Sequence, residues 1–166
     1  MLPIDTSELV YGRTKNDTYE AEDLNRVVAI CEAIAAAALS EIETLAAMRA
    51  QYGTTANEHT LPDFTVPTVL RPKENGFAIT DTYTLEQMRL YLLNVANIVA
   101  QFPPALYKAL PANMRYLTFE SANNIEEDLK QSAENLVSRA NRTETNIKNT
   151  AAAFVFSGEI YAGGII

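Results

Sequence analysis

The strongest constraint on the fold is an apolar stripe that begins near Glu20. Leu24, Val27, Val28, Cys31, Ile34, Ala35, Ala38, Ile42, Leu45 and Ala46 recur at steps of three and four residues, while Glu32, Glu41 and Glu43 fall off the stripe. Such spacing predicts one amphipathic helix from about residue 20 to Gly53, a rod of roughly 45 Å. Glu20, Glu22 and Asp23 suit the positive end of its dipole, and Gly53 can take the left-handed conformation that ends it. A rod this long cannot leave its stripe in water, so further elements must pack on it.

Two more stripes answer that need. Thr84 followed by Gln87 is a capping-box pattern opening a shorter helix with Met88, Tyr91, Leu92, Val95, Ile98, Val99 and Phe102 inward, stopped by Pro103-Pro104. Thr118 caps a third helix carrying Phe119, Ala122, Ile125, Leu129, Ala133, Leu136, Val137 and Ala140. Between the first two, Pro62, Pro67 and Pro72 break helical periodicity. Asn75-Gly76 there lies between Val66, Val69, Leu70 and the alternating Phe77 and Ile79, which predicts a β-hairpin within residues 53–83. Phe154-Val155-Phe156 and Ile160-Tyr161 flank Ser157-Gly158, which predicts a second hairpin at the C-terminus. The expected fold is therefore mainly α: an antiparallel three-helix bundle with two long helices and one shorter, plus the two hairpins. Its parts are an extended N-terminal arm (1–18), a helical bundle domain with inserted loop (19–149) and a C-terminal hairpin (150–166).

Composition narrows the function. With 21 acidic and 13 basic side chains the net charge is -8, and no stretch of the chain is basic, which disfavours nucleic acid as a partner. The N-terminus lacks a signal-peptide pattern and no run reaches membrane-spanning length, so neither secretion nor membrane insertion is expected. Cys31 sits among apolar neighbours and reads as core. His59 has no second His or Cys at ligand spacing, and the acidic groups Glu20-Glu22-Asp23 and Glu126-Glu127-Asp128 lack the glycine and oxygen spacing of a calcium loop. Neither a Gly-rich phosphate cradle nor a nucleophile elbow occurs. No enzyme, metal or cofactor is expected.

Two polar or apolar features remain. Asn25, Asn94, Asn123 and Asn124 adjoin apolar stripes although asparagine is a poor helix former, and they are read as structural clamps tying connector backbone to the helices rather than as a ligand-binding amide cluster. Phe154, Phe156, Ile160, Tyr161, Ile165 and Ile166 crowd into the last thirteen residues and form a candidate interface, facing either the chain's own helices or another subunit.

Several stretches carry a resemblance. Asp23-Leu24-Asn25-Arg26-Val27, Gln87-Met88-x-x-Tyr91-Leu92-x-Asn94-Val95, Leu110-Pro111-x-x-Met114-x-x-Leu117-Thr118, Ala122-Asn123-x-Ile125-Glu126 and Ser157-Gly158-Glu159-Ile160-Tyr161-x-Gly163 occur in that order. In them the chain resembles small helical proteins encoded among the tail genes of phages and prophages of Gram-positive bacteria. The segment between Arg13-Thr14 and Tyr19 is shorter than in many of those proteins. The resemblance implies a virion part of the tail tip, baseplate or fibre region, made in the bacterial cytoplasm and partnered by itself or other tail proteins. It transfers no catalytic residue. The alternative is a module binding host-surface carbohydrate or peptide through the Tyr and Asn residues of loop 53–83, although the chain has no Trp and the loop offers only Phe64, Phe77 and Tyr83 as aromatic platforms.

Overall fold

A computed structural model describes residues 3–162, with side chains described for residues 3–153. Three helices dominate: α1 (Ala21–Tyr52), α2 (Leu85–Gln101) and α3 (Phe119–Ala162), with one 3-10 turn at Met114–Tyr116. Their ends follow local chemistry. Asp23 accepts the Glu20 amide at 2.8 Å at the start of α1, and Gly53 ends it at φ 65° with the Thr54 amide bonded back to Arg49. Thr84 and Gln87 cap α2 reciprocally at 3.2 and 2.9 Å, and the Thr118 hydroxyl accepts the Ser121 amide at 3.2 Å.

The helices run parallel, which corrects the antiparallel expectation. At the start of α1, Arg26 meets Glu126, in the first turns of α3, at 3.0 Å. In the last turn of α1, Arg49 donates to the Thr60 carbonyl, and nearby Asp63 pairs with Arg139 and Arg142, well along α3. Tyr91, in the first half of α2, touches Tyr19 at the mouth of α1, while the last residue of α2, Gln101, accepts from Arg139. All three N-termini therefore share one end of the molecule.

Parallel neighbours need connections that return along the bundle, and both segments between the helices are extended chain that does so. Residues 60–77 run back between α1 and α2: Thr65 bonds Gln101, Thr68 bonds Asn97, Leu70 bonds Asn94, Arg71 bonds Glu32 and Phe77 bonds Asn25. About 17 residues of extended chain reach roughly 55 Å, enough for the ~48 Å of α1. Residues 103–117 return from α2 along α3, from Pro103 at Asn135 to Lys108 at Asp128. The N-terminal arm does the same, with Tyr11 near Lys130, Val10 at Glu126 and Arg13 at Asn123.

Neither expected hairpin forms; no strand occurs among the described residues. In the 53–83 segment the three prolines remove amide donors that a ladder needs, and helix side chains supply the pairing a second strand would have given. Asn75-Gly76 does turn the chain, with the Gly76 amide on the Lys73 carbonyl at 3.1 Å, but it delivers Phe77 to α1 rather than to a partner strand. At the C-terminus, α3 passes through Ser157-Gly158 to Ala162. Extending a helix already nucleated costs little, and Ala151, Ala152 and Ala153 lead into that segment with the best helix former. Residues 163–166 of the expected hairpin lie outside the described residues.

The core joins Leu24, Val27, Ile34 and Leu45 of α1, Tyr91, Val95 and Ile98 of α2, and Ile125, Leu129, Leu136 and Ile147 of α3. Phe64 and Phe77, on the return segment, are buried in the same core.

Candidate functional site

The asparagines sit where return segments cross helices. Asn25 accepts the Phe77 amide at 2.7 Å and donates to the Phe77 carbonyl at 2.9 Å. Asn94 makes the same pair with Leu70 at 2.8 and 2.6 Å, and Asn123 with Arg13 at 3.0 and 2.9 Å. In each case a primary amide satisfies both polar groups of one residue of extended backbone, as a neighbouring strand would. Asn124 is half-buried, and its side chain makes no hydrogen bond among the described residues. The other half of the Asn25 clasp is Gly76. It holds φ 73°, and a Cβ there would lie 2.9 Å from Asn25 Oδ1. Gly76→Ala is thus expected to lower stability by about 1–3 kcal/mol, through backbone strain and displacement of the amide. A urea midpoint within error of the parent would contradict that.

A four-charge network closes the arm onto the bundle. Glu126, with no exposed surface, takes Arg13 at 2.7 Å and Arg26 at 3.0 Å, while Asp23 binds Arg13 at 2.7 Å and also holds Arg26. The Arg13 guanidinium bonds the Val10 carbonyl, and Glu126 takes the Val10 amide. Burial raises the Asp23 carboxyl, but the Glu20 amide and the two guanidiniums outweigh it and hold the group below its ordinary value. Arg13 also stacks over Tyr19 at 4.9 Å, whose hydroxyl meets that of Tyr91 at 2.6 Å. Burial pushes both phenols up, so they act as neutral hydrogen-bonding groups at neutral pH. Two cations and two anions cancel here, which makes this a tether rather than a charged binding centre.

Sequence reasoning passed over this network, although a signal existed. Glu126 lies four residues after Ala122 and three before Leu129, squarely on the apolar stripe of α3. A carboxylate there requires a buried partner.

The remaining candidates disperse. Cys31 is fully buried in the core and burial pushes its thiol up, so native protein is expected to resist alkylation at pH 8 and react only after unfolding; rapid labelling of folded protein would contradict this. His59 is exposed beside Glu58 at 3.3 Å. Phe64 packs edge-on against Phe102 with ring centres 5.6 Å apart, and Phe77 against Tyr83 at 5.2 Å. The loop's two phenylalanines therefore face inward and offer no stacking platform. Phe154, Phe156, Ile160 and Tyr161 fall on helical backbone, but their side chains, and all of Ile165 and Ile166, lie outside the described residues.

A cleft of about 470 Å³ lies between α1 and residues 71–77, with Val28 and Ala29 on one wall and Glu32, Arg71, Lys73 and Glu74 at the rim. Arg71 is paired with Glu32, and Lys73 with Asp81. At the end shared by the three N-termini, Ile79, Leu85 and Tyr116 are 80%, 81% and 70% exposed. Among the described residues no group of three His, Cys, Asp or Glu side chains is placed to hold a metal ion, and no helix is long and apolar enough to cross a membrane. Compared with known proteins, the chain matches no family model, no curated protein and no solved structure.

Proposed function

We propose that this chain is a non-enzymatic structural and assembly component of a phage or prophage tail, in the tail tip, baseplate or fibre region, working through contacts with copies of itself or other tail proteins. The observation that carries the reading is how the polar interior is used. Asn25, Asn94 and Asn123 are saturated by backbone, and Arg13, Asp23, Arg26 and Glu126 by each other, so these groups hold shape and leave nothing over for a substrate. Apolar surface at Ile79, Leu85 and Tyr116 is available for subunit contact, and the ordered motif resemblance supplies the tail setting.

Light scattering after size-exclusion chromatography, on the full chain and on a chain ending at Ala153, tests the reading. Self-association or tight binding to a co-expressed tail protein, weakened by the truncation, is expected. A monomer that binds none of the neighbouring tail proteins, with or without residues 154–166, would remove the assembly role. The second reading, a host-surface binding module, draws on the cleft beside residues 71–77. Glycan or cell-wall pull-down with Arg71→Ala and Lys73→Ala tests it: binding lost in the variants supports the module, and no binding by the parent eliminates it.

A further inference from the structure

Beneath the connector that returns from α2 to α3 lies a pair of polar side chains that the tether does not use. Asp128 and Ser132 are one turn apart on α3 and both are completely buried. Asp128 Oδ2 and Ser132 Oγ have no hydrogen-bond partner. The other carboxylate oxygen, Oδ1, receives only the Lys108 amide, at a long 3.4 Å. The charged groups that act on Asp128 are Lys108, from the connector, and Glu127, beside it on α3. The Lys108 ammonium is committed to Glu127 at 2.5 Å, so it serves the neighbour more closely than Asp128.

An ionised carboxylate cannot stay in that position at low cost, because one oxygen faces protein with no donor. A proton on Oδ2 changes the arithmetic. It removes the charge whose desolvation is costly, so the site then holds two neutral polar groups, Asp128 and Ser132, in place of a bare buried anion. The connector above is held at a few points: Asn135 bonds the Pro103 carbonyl, the Lys108 amide makes the long contact while its ammonium pairs with Glu127, and Leu110 packs on the core, whereas Leu106 and Tyr107 are exposed.

We infer that residues 103–112 form a proton-gated flap, docked on α3 while Asp128 is protonated and released when Asp128 ionises. The sign follows from linkage. Burial pushes the docked carboxyl up to about 6 from an ordinary 3.8, with the Lys108 amide and ammonium opposing and Glu127 adding to the rise. A group raised in the closed state favours closure below its open-state value and loses that contribution as pH climbs through the closed-state value. Opening therefore grows between about pH 4 and pH 6 and levels off above. In an assembly protein, such a flap would expose the connector face of α3 at neutral pH and cover it in acid.

Hydrogen–deuterium exchange on the full chain at about pH 5 and about pH 7.5 tests the gate, after correction for the intrinsic rise of amide exchange with pH. Peptides covering 103–112 are expected to open roughly tenfold more at the higher pH, and Asp128→Asn, neutral at both, to abolish the difference. Equal opening in the parent at the two pH values, or the parent's pH dependence retained in Asp128→Asn, would overturn the inference. Should the variant not fold, carbon-13 titration of the parent decides: an Asp128 midpoint near 6 with connector amides moving in step supports the gate, and a midpoint near 4 or connector amides that do not follow overturns it.

Discussion

Glu126→Ala is expected to cost about 3–5 kcal/mol, as much as emptying a large core position. The alanine removes one carboxylate that answers two guanidiniums and the Val10 amide at once. Arg13, almost wholly buried, would keep Asp23 as its one charged partner beside the Val10 carbonyl, and Asp23 must already serve Arg26. The variant should therefore lose the arm before it loses the bundle. Amides from Val10 to Arg13 should exchange freely under conditions where those of α3 remain protected. Glu126→Gln keeps an acceptor but not the charge and should fall between parent and alanine. A loss below about 1 kcal/mol in urea denaturation would show that the arm is held by Leu9 and Ile4 rather than by the network. The tether also has a pH direction opposite to that of the connector. Because Asp23 is held below its ordinary value, its contribution is present above the unfolded value and fades as pH falls through the folded one, so acid loosens the arm while it docks the flap.

Asn94→Asp should cost nearly as much, about 3–4 kcal/mol, for a change of one atom. Asn94 is 1% exposed and its amide nitrogen donates to the Leu70 carbonyl at 2.6 Å. A carboxylate retains the acceptor for the Leu70 amide but sets oxygen against oxygen on the other side, in a place with little water to screen it. Asn94→Ala removes the repulsion and leaves the backbone pair of Leu70 unmet, for about 2–3 kcal/mol. The order, aspartate worse than alanine, separates a two-bond clasp from mere space filling, for which the isosteric aspartate would be the milder change. If alanine proves the more damaging, the donor half of the clasp contributes little. The local readout is exchange of the Leu70 amide, which should speed up before that of Phe77, clasped separately by Asn25.

The three helices, their starts and the ends of α1 and α2 were legible in the sequence because their causes are local, whereas α3 runs on to Ala162 through the segment read as a hairpin. Thr84 and Gln87, Gly53, Pro103-Pro104 and Thr118 act within a turn of where they stand, and the stripes act within one helix. The asparagines were legible as amides needing partners, and Glu126 could have been noticed as a charge on an apolar stripe. Which backbone each side chain holds was not legible. Asn25 and Phe77 are 52 residues apart, Asn94 and Leu70 24, and Asn123 and Arg13 110, and nothing in the local pattern encodes those pairings.

The same separation explains the two hairpins that do not form and the helix direction that was reversed. Asn75-Gly76 specifies a turn, and a turn is present; whether the flanking chain pairs with itself or with a helix depends on what lies beside it in space. Pro62, Pro67 and Pro72 weaken self-pairing, and Asn25, Asn94 and Asn97 offer the alternative. An apolar stripe looks the same whichever way its helix runs, so the stripes determined that three helices would pack and left their direction open. Tertiary structure decided it, because return segments long enough to span the bundle find their hydrogen bonds on the helices they cross, and that leaves α1, α2 and α3 pointing the same way.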